Sequence, residues 1–299
     1  MRRWWTDARI AADLVAGRAE LWLPGALGWS LTIGWLPLVV AVARPPSVAD
    51  LTFLGARVYS SGTWPWNLVA AAAGAMMIGV TVFVLVGLAE TALAGAGRRG
   101  LSAAGVTRVA AIGFVTTAPT LAVLLAAGTA FVVVSIDEFT SPAAGDPVLR
   151  SIGRVWPFLA AAVAAWIGGA TIHAAAVREA VLARAGLVEA IAATLRRLRT
   201  VGAAALAVTS LASALLRVAY LGLTTVLLSV LWDPIEARLA VDGIDLAGVP
   251  LLVGFVAIWL CLVLGGGALH AWASVTWTRV LGARDRRADA AALGALHRP

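Results

Sequence analysis

The chain has 299 residues, of which 61% are hydrophobic and only 13% are charged, and its mean hydropathy is +0.91. A soluble chain of this length could not bury so much apolar surface, so the composition excludes an ordinary soluble domain and predicts lipid as the solvent. The formal net charge is +7, but its basic residues are all arginines and cluster beside apolar runs. That distribution indicates membrane topology and no nucleic-acid partner.

Six long apolar runs follow one another along the chain. They cover residues 21–43, 66–95, 107–136, 155–184, 201–231 and 249–280. A bilayer core about 30 Å thick requires about 20 apolar residues in a helix, and each run is long enough. The sequence therefore predicts an all-α polytopic membrane protein with six transmembrane helices. Several of them would be tilted or would extend beyond the bilayer.

Amphipathic stretches precede the first, third and fifth runs. In the strongest stretch, 187–199, one helical face carries Leu187, Val188, Ile191, Leu195 and Leu198, and the other carries Glu189, Arg196 and Arg197. The first stretch is similar, with Trp4, Ala8, Ala11, Val15 and Ala19 on its apolar face, and the stretch 101–110 is weaker. We expect elbow helices, meaning short interfacial helices that set the angle of the next span. The alternative is a docking surface for lipid headgroups or a cytoplasmic partner, with Arg196, Arg197 and Arg199 as its basic groups.

The N-terminal stretch is expected to be an interfacial helix and not a secretory signal peptide. Arg2 and Arg3 precede two tryptophans, but Asp7, Arg9 and Asp13 interrupt the apolar region that a signal peptide requires.

Landmarks recur three times along the chain. Gly100-Leu101 and Gly186-Leu187 each open an amphipathic stretch, and Pro65, Pro157 and Pro250 are predicted at the first turn of the second helix in each pair. We therefore predict a single membrane domain, 1–299, made of pseudo-repeats 1–97, 98–185 and 186–281, with a cytoplasmic tail at 282–299. All three pairs would share one orientation, unlike the inverted repeats of many transporters.

Arginine asymmetry predicts the orientation. Seventeen arginines flank one side: Arg2, Arg3, Arg9, Arg18, Arg98, Arg99, Arg108, Arg178, Arg184, Arg196, Arg197, Arg199, Arg279, Arg284, Arg286, Arg287 and Arg298. The five on the other side are Arg44, Arg57, Arg150, Arg154 and Arg238. The positive-inside rule then places both termini in the cytoplasm. The predicted outer loops hold most of the unpaired acids, among them Glu138 and Asp233.

The segment 178–198, which includes Arg178-Glu179-Ala180-Val181 and Leu195-Arg196-Arg197-Leu198, resembles the elbow of bacterial multi-pass families related to the membrane domain of glycerophosphoryl diester phosphodiesterases. The resemblance covers about 40 residues, around 178–220. It implies a helical fold with elbow helices in a bacterial plasma membrane. The family's Ser-aromatic element is absent, with Ala193 and Thr194 nearby instead, and no phosphodiesterase domain or catalytic residue matches.

A polar stripe crosses the fifth run. Ser210, Ser213, Arg217, Tyr220 and Thr224 follow a three-four spacing, which places them on one helical face. A central arginine costs about 2.5–3.5 kcal/mol in a membrane helix, so the stripe should face protein or a hydrated cavity. It is interpreted either as a site for an anion or lipid headgroup, or as structural glue whose arginine is met by carbonyls, hydroxyls or a carboxylate such as Glu90 or Glu179.

The remaining polar residues predict packing and no chemistry. His173 and His270 do not match between repeats, so we expect hydrogen-bonded packing and no metal, haem or other cofactor. The triplet Gly265–Gly267 predicts close helix packing or, alternatively, an unwinding point. Cys261, the only cysteine, is expected to be buried.

No catalytic motif is present, so the chain is predicted to be non-enzymatic. The first hypothesis is an accessory or scaffold subunit that binds other membrane proteins, or a second copy of itself, and membrane lipids. The alternative is a transporter or channel-like protein for a lipid or small anion that uses the Arg217 stripe.

Overall fold

The computed structural model describes residues 2–43, 53, 56–95, 103–140, 147–199, 203–242 and 248–296. At residues 2, 3, 139, 140, 147, 148, 203, 242 and 283–296 it describes the backbone alone. The helices are α1 (Arg2–Ala16), α2 (Trp22–Trp29), α3 (Leu36–Val42), α4 (Trp66–Ala94), α5 (Ala103–Thr140), α6 (Pro147–Leu182), α7 (Leu187–Leu198), α8 (Ala203–Asp242) and α9 (Gly248–Leu296). No strand occurs in these ranges, which confirms the predicted all-α class.

Among the described residues, five helices are long and apolar enough to cross a membrane. The spanning segments are Trp66–Ala94, Ala103–Glu138, Leu149–Leu182, Ala204–Val241 and Gly248–Gly282. A sixth span requires that Ala19–Gly34 and Leu36–Val42 be counted together, although they are bent by 48°. By length and composition, the described residues therefore form a polytopic helical protein with five candidate membrane spans, or six if this bent pair is one span.

The bend in the first apolar run has local causes. A π-helical turn at Ser30–Gly34 separates α2 from α3, and Pro37 in the first turn of α3 has no N–H to donate. The hydroxyl of Thr32 donates to the carbonyl of Gly28 at 2.7 Å, so a side chain satisfies a carbonyl beside the π-helical turn. Length and hydropathy alone could not predict this break.

Two of the three predicted proline positions are confirmed. Pro65 immediately precedes α4, and Pro250 lies in the first turn of α9. The prediction for Pro157 is wrong, because α6 already begins at Pro147 and Pro157 lies inside it. An interior proline is tolerated in a membrane helix when neighbouring groups satisfy the freed carbonyl.

A separate elbow helix at 101–110 is not seen in the described residues. Residues 103–110 form the start of the continuous helix α5. The segment carries no proline before Pro119 and only weak amphipathicity, so nothing separates it from the span that follows. By contrast, α1 and α7 are distinct helices, as expected for the other two stretches.

The chain divides into two compact units. The first consists of Met1–Asp7, Ser102–Ala214 and Thr276–Pro299, and the second of Ala8–Leu101 and Leu215–Val275. In the first unit, α5 and α6 approach so closely that a Cβ at Gly169 would meet the carbonyl oxygen of Thr116. In the second unit, Ala11 and Val15 of α1 are buried against Leu93 and Ala271. The apolar face of α1 therefore packs on protein. The threefold repeat remains a prediction.

Candidate functional site

The stripe of α8 is divided between the two compact units. Ser210 and Ser213 belong to the first unit, and Arg217, Tyr220 and Thr224 belong to the second. Ser213 and Thr224 are buried, whereas Leu211, Leu215 and Val218 on other faces of α8 are exposed. The stripe thus faces protein, and the exposed faces of α8 are apolar, as a lipid-facing surface requires.

Arg217 lies in a buried cluster with His270, Glu90 and Ser274. These four residues are here called the ion cluster. Arg217 Nη2 is 3.3 Å from His270 Nδ1, and His270 Nε2 is 3.0 Å from Glu90 Oε1. The Ser274 hydroxyl donates to Glu90 Oε2 at 3.5 Å. Glu90 and His270 are only 6% and 4% exposed. Helices α4, α8 and α9 thereby contribute one polar network inside the second unit.

The contact with Arg217 determines which ring nitrogen of His270 accepts a hydrogen bond and which one carries the proton. A guanidinium only donates hydrogen bonds, so Nδ1 of His270 must accept the one from Arg217. The neutral ring then carries its proton on Nε2, which lies 3.0 Å from Glu90 Oε1 but outside hydrogen-bond geometry, so this contact is electrostatic. The positive and negative charges are therefore linked through a neutral ring, and the arrangement reduces the cost of burying either charge. Arg217 Nε is also buried but has no hydrogen-bond partner among the described residues.

Glycines make room for the ion cluster. A Cβ at Gly28 of α2 would lie 2.8 Å from His270 Nε2, closer than Cβ atoms approach. Gly267 of α9 contacts the backbone of Ala26, and Gly266 contacts the indole of Trp29. Helix α9 is continuous through these glycines. The triplet Gly265–Gly267 therefore serves close packing, and the unwinding interpretation is wrong.

Tyr220 and Thr224 have partners within the second unit. The Tyr220 hydroxyl donates to the carbonyl of Leu262 at 2.7 Å, and the Thr224 hydroxyl donates to the carbonyl of Tyr220 at 2.9 Å. The rings of Trp29 and Tyr220 meet edge to face, with centroids 5.6 Å apart. A small, partly open pocket lies beside them and is lined also by Trp259. Both predicted stripe residues thus anchor packing.

In the first unit, the polar residues of the stripe and of α6 also pair. The hydroxyls of Ser210 and Thr171 form a short hydrogen bond. Ser213 Oγ is buried and lacks a partner among the described residues. His173 Nδ1 lies 3.5 Å from the Thr116 hydroxyl, which agrees with the expected packing role. Within the described ranges, no group of three potential ligands could hold a metal ion.

The three predicted elbow arginines have different environments. Arg197 is partly buried, and its Nε lies 2.8 Å from Glu179 Oε1, so this arginine is held by its own protein. Arg196 and Arg199 are exposed. The residues of α7 that are fully buried are Ala190 and Thr194. Of the predicted apolar face, Leu198 packs against the core cluster that contains Leu206, whereas Val188 and Leu195 are exposed.

Three further predictions are wrong. Glu138 is not an unpaired acid, because Arg150 Nε and Arg154 Nε lie 2.5 and 2.9 Å from its two oxygens. Asp233 lies within α8 and not in a loop, because α8 continues to Asp242. Cys261 is exposed, since it lies on an outward face of α9.

The contact between His270 and Arg217 could not be predicted from the sequence. Glu90 was among the candidate counter-charges for Arg217, but nothing in the sequence placed His270 between the two. One signal was present: His270 and Ser274 are four residues apart and share a helical face, as a polar pair on a buried side would. The glycines of α2 gave no such signal, because close approach becomes visible only when the opposite helix is known.

No family model, no curated protein and no solved structure matches this chain. What the site does must therefore follow from its own chemistry, and the resemblance around 178–220 stays a prediction.

Proposed function

We propose that this chain is a non-enzymatic integral membrane protein, an accessory or scaffold subunit that binds other membrane proteins and lipid. The observation that carries the proposal is a small-residue stripe on α4 that no described residue of another element covers. Ala71, Ala75 and Gly79 are four residues apart and therefore lie on one face of the helix. Membrane helices associate through such faces, because small side chains let two backbones approach closely.

The first half of α4, around residues 68–78, is exposed, whereas the end of the same helix is buried in the second unit. Residues 68–73 and 75–78 are exposed around the whole circumference of the helix. No described atom lies within 4 Å of a Cβ built at Gly74 or Gly79. Where this chain packs its own helices, small residues are in direct contact, as Gly25 is with Gly267. A second chain seated on the α4 stripe would use the same kind of contact.

The ion cluster supports a structural role for the second unit. The charge of Arg217 is linked to that of Glu90 through His270, at 3.3 and 3.0 Å. An anionic ligand at Arg217 would have to compete with this internal compensation. The cluster therefore ties α4, α8 and α9 together and holds the exposed part of α4 in place.

The second candidate function is a transporter or channel-like protein for a lipid or small anion. It rests on one observation, the buried Nε of Arg217 that has no partner among the described residues. A bound phosphate or carboxylate oxygen could accept from that group. If this function is correct, the protein purified from its native membrane should carry an anionic lipid or solute that Arg217→Leu removes.

The proposed arrangement in the membrane has six spans, with the bent segment 19–42 as the first and both termini in the cytoplasm. Its support is the excess of seventeen arginines over five on the side of the termini. Following the resemblance around 178–220, we assign the protein to a bacterial plasma membrane. The elbow helices at the starts of the first and third pairs would lie at the cytoplasmic surface.

Cross-linking along α4 tests the accessory role. In a Cys261→Ala protein, Ala75→Cys carries a thiol-reactive photo-cross-linker on the stripe, and Met77→Cys carries it on the opposite face. In native membranes, position 75 should give one stoichiometric adduct, to a second copy or to one membrane protein, and position 77 should not. Equal adduct yields at the two positions, or none at either, would show that the stripe faces lipid and would remove the basis of the proposal.

A further inference from the structure

Helix α7 presents three different sides around its axis. Ala190 and Thr194 are buried against the first unit, and Arg197 lies on the same side with its guanidinium held by Glu179. The side that is rotated away from the protein carries Val188 and Leu195, which are 79% and 42% exposed. The third side, next to the exposed apolar side, carries charged groups.

No described residue covers the exposed apolar side of α7. Val188 and Leu195 are seven residues apart, so they lie on one line along the helix, with the partly buried Ile191 between them. A short helix on a water-facing surface would place polar residues there. Exposed apolar residues on a helix that leads into a membrane span are typical of a helix lying in the interface.

The charged side of α7 is predominantly basic. Arg196 and Arg199 are exposed at the end of the helix, and Glu189 is the acid of the first turn. The backbone N–H of Gly186 donates to Glu189 Oε2 at 3.4 Å, so the acid caps the helix. The distribution of charges suits the helix dipole. That effect explains the order of the charges along the axis, but it does not explain their position beside an exposed apolar line.

The turn before α7 is held in place by side-chain contacts. Arg184 has a left-handed backbone, with φ of 58°. Arg108 of α5 donates through Nη1 to the carbonyls of Arg184 and Ala185 at 3.0 and 3.3 Å. These contacts satisfy two carbonyls of the connection between α6 and α7. The direction in which α7 leaves α6 is therefore fixed by the protein.

We propose that α7 binds the surface of an anionic phospholipid leaflet, with Val188 and Leu195 among the acyl chains and Arg196 and Arg199 on the headgroup phosphates. This deepens the lipid-binding half of the proposed function. Arginine suits phosphate because its planar guanidinium donates two parallel hydrogen bonds. Arg197 takes no part, because Glu179 neutralises it.

Depth-dependent quenching tests the placement of the helix. The full chain with Cys261→Ala is reconstituted in vesicles of phosphatidylcholine and phosphatidylglycerol, with an environment-sensitive fluorophore on Leu195→Cys. Spin-labelled lipids should quench position 195 strongly and position 193, labelled through Ala193→Cys on the side away from Leu195, weakly. Equal quenching at the two positions would overturn the proposal, because α7 would then not present one side to the lipid.

Lipid selectivity tests the charged side. The amount of phosphatidylglycerol that the protein retains over phosphatidylcholine, measured by native mass spectrometry, should fall about fivefold for each of Arg196→Gln and Arg199→Gln. Arg196→Lys and Arg199→Lys keep the charge and should keep the selectivity. Glu189→Gln keeps the cap but removes a negative charge, so it should raise the selectivity for phosphatidylglycerol. Unchanged retention in the glutamine variants would refute the role of the arginines. The cross-linking test on α4 concerns protein partners, so either proposal can fail alone.

Discussion

His270 places Nε2 3.0 Å from Glu90 Oε1, and this contact is buried inside a unit built from membrane helices. The opposite nitrogen of the same ring accepts from Arg217 at 3.3 Å. Each of the three side chains therefore removes part of the cost of burying the next one. A polar network of this kind specifies which helix faces meet, because any other pairing would leave a charge without a partner.

Arg217→Leu should destabilise the protein, because Glu90 and His270 would lose the compensating charge. Breaking a buried ion pair on one side typically costs about 3–5 kcal/mol. Glu90→Gln should also destabilise it, and the double variant should cost less than the sum of the two changes by about 0.5–3 kcal/mol. Thermal unfolding in detergent measures all three. Additive effects would show that the two residues are not coupled, and the ion cluster would then not act as one unit.

Gly28→Ala should lower the stability by about 1–3 kcal/mol, because overpacking forces side chains or backbone to shift. The new Cβ would lie 2.8 Å from His270 Nε2. Gly254→Ala on α9 is the matched control, since nothing described lies within 4 Å of that position. It should be neutral or slightly stabilising, because alanine favours helix. If both variants unfold at the same temperature, the contact between Gly28 and His270 is not tight.

The spans could be predicted from the sequence because they depend on length and composition alone. Helix α4, at Trp66–Ala94, matches the predicted run 66–95 to within one residue. The agreement is close because a run of apolar residues without a breaker is helical in lipid. The bend at Ser30–Gly34 could not be predicted, because a π-helical turn depends on side chains that pack against it. The position of Pro157 inside α6 was also missed, because α6 begins ten residues earlier, at Pro147.

The partners of Arg217 could be predicted only in part. The three-four spacing put Arg217 and Tyr220 on one face, and α8 does turn that face toward protein. Spacing carries no information about which helix stands opposite, so His270 was not connected with Arg217. The exposed position of Cys261 was missed for a related reason: an apolar residue in a membrane helix can face either lipid or protein.

Glu138→Gln should lower the unfolding temperature more than Arg154→Gln does. Glu138 has both oxygens occupied by arginines, and Arg150 Nη2 also donates to its backbone carbonyl at 3.1 Å. A neutral amide would leave two guanidinium groups facing each other without a counter-charge. The side chain of Arg154 is 61% exposed, so water can replace its contact. The reverse order of unfolding temperatures would show that Glu138 does not hold the ends of α5 and α6 together.

Labelling with a membrane-impermeant thiol reagent should show that the C-terminal region lies in the cytoplasm. In a Cys261→Ala protein, Ala290→Cys should react only after the cells are opened. Ala143→Cys lies between the predicted runs 107–136 and 155–184, on the predicted outer side, and should react in intact cells. The physical reason is the seventeen-to-five arginine excess, because basic flanking residues are retained on the cytoplasmic side. A denatured sample in which both thiols react controls for their intrinsic reactivity. Labelling of position 290 in intact cells would reverse the proposed orientation, and α7 would then meet the outer leaflet.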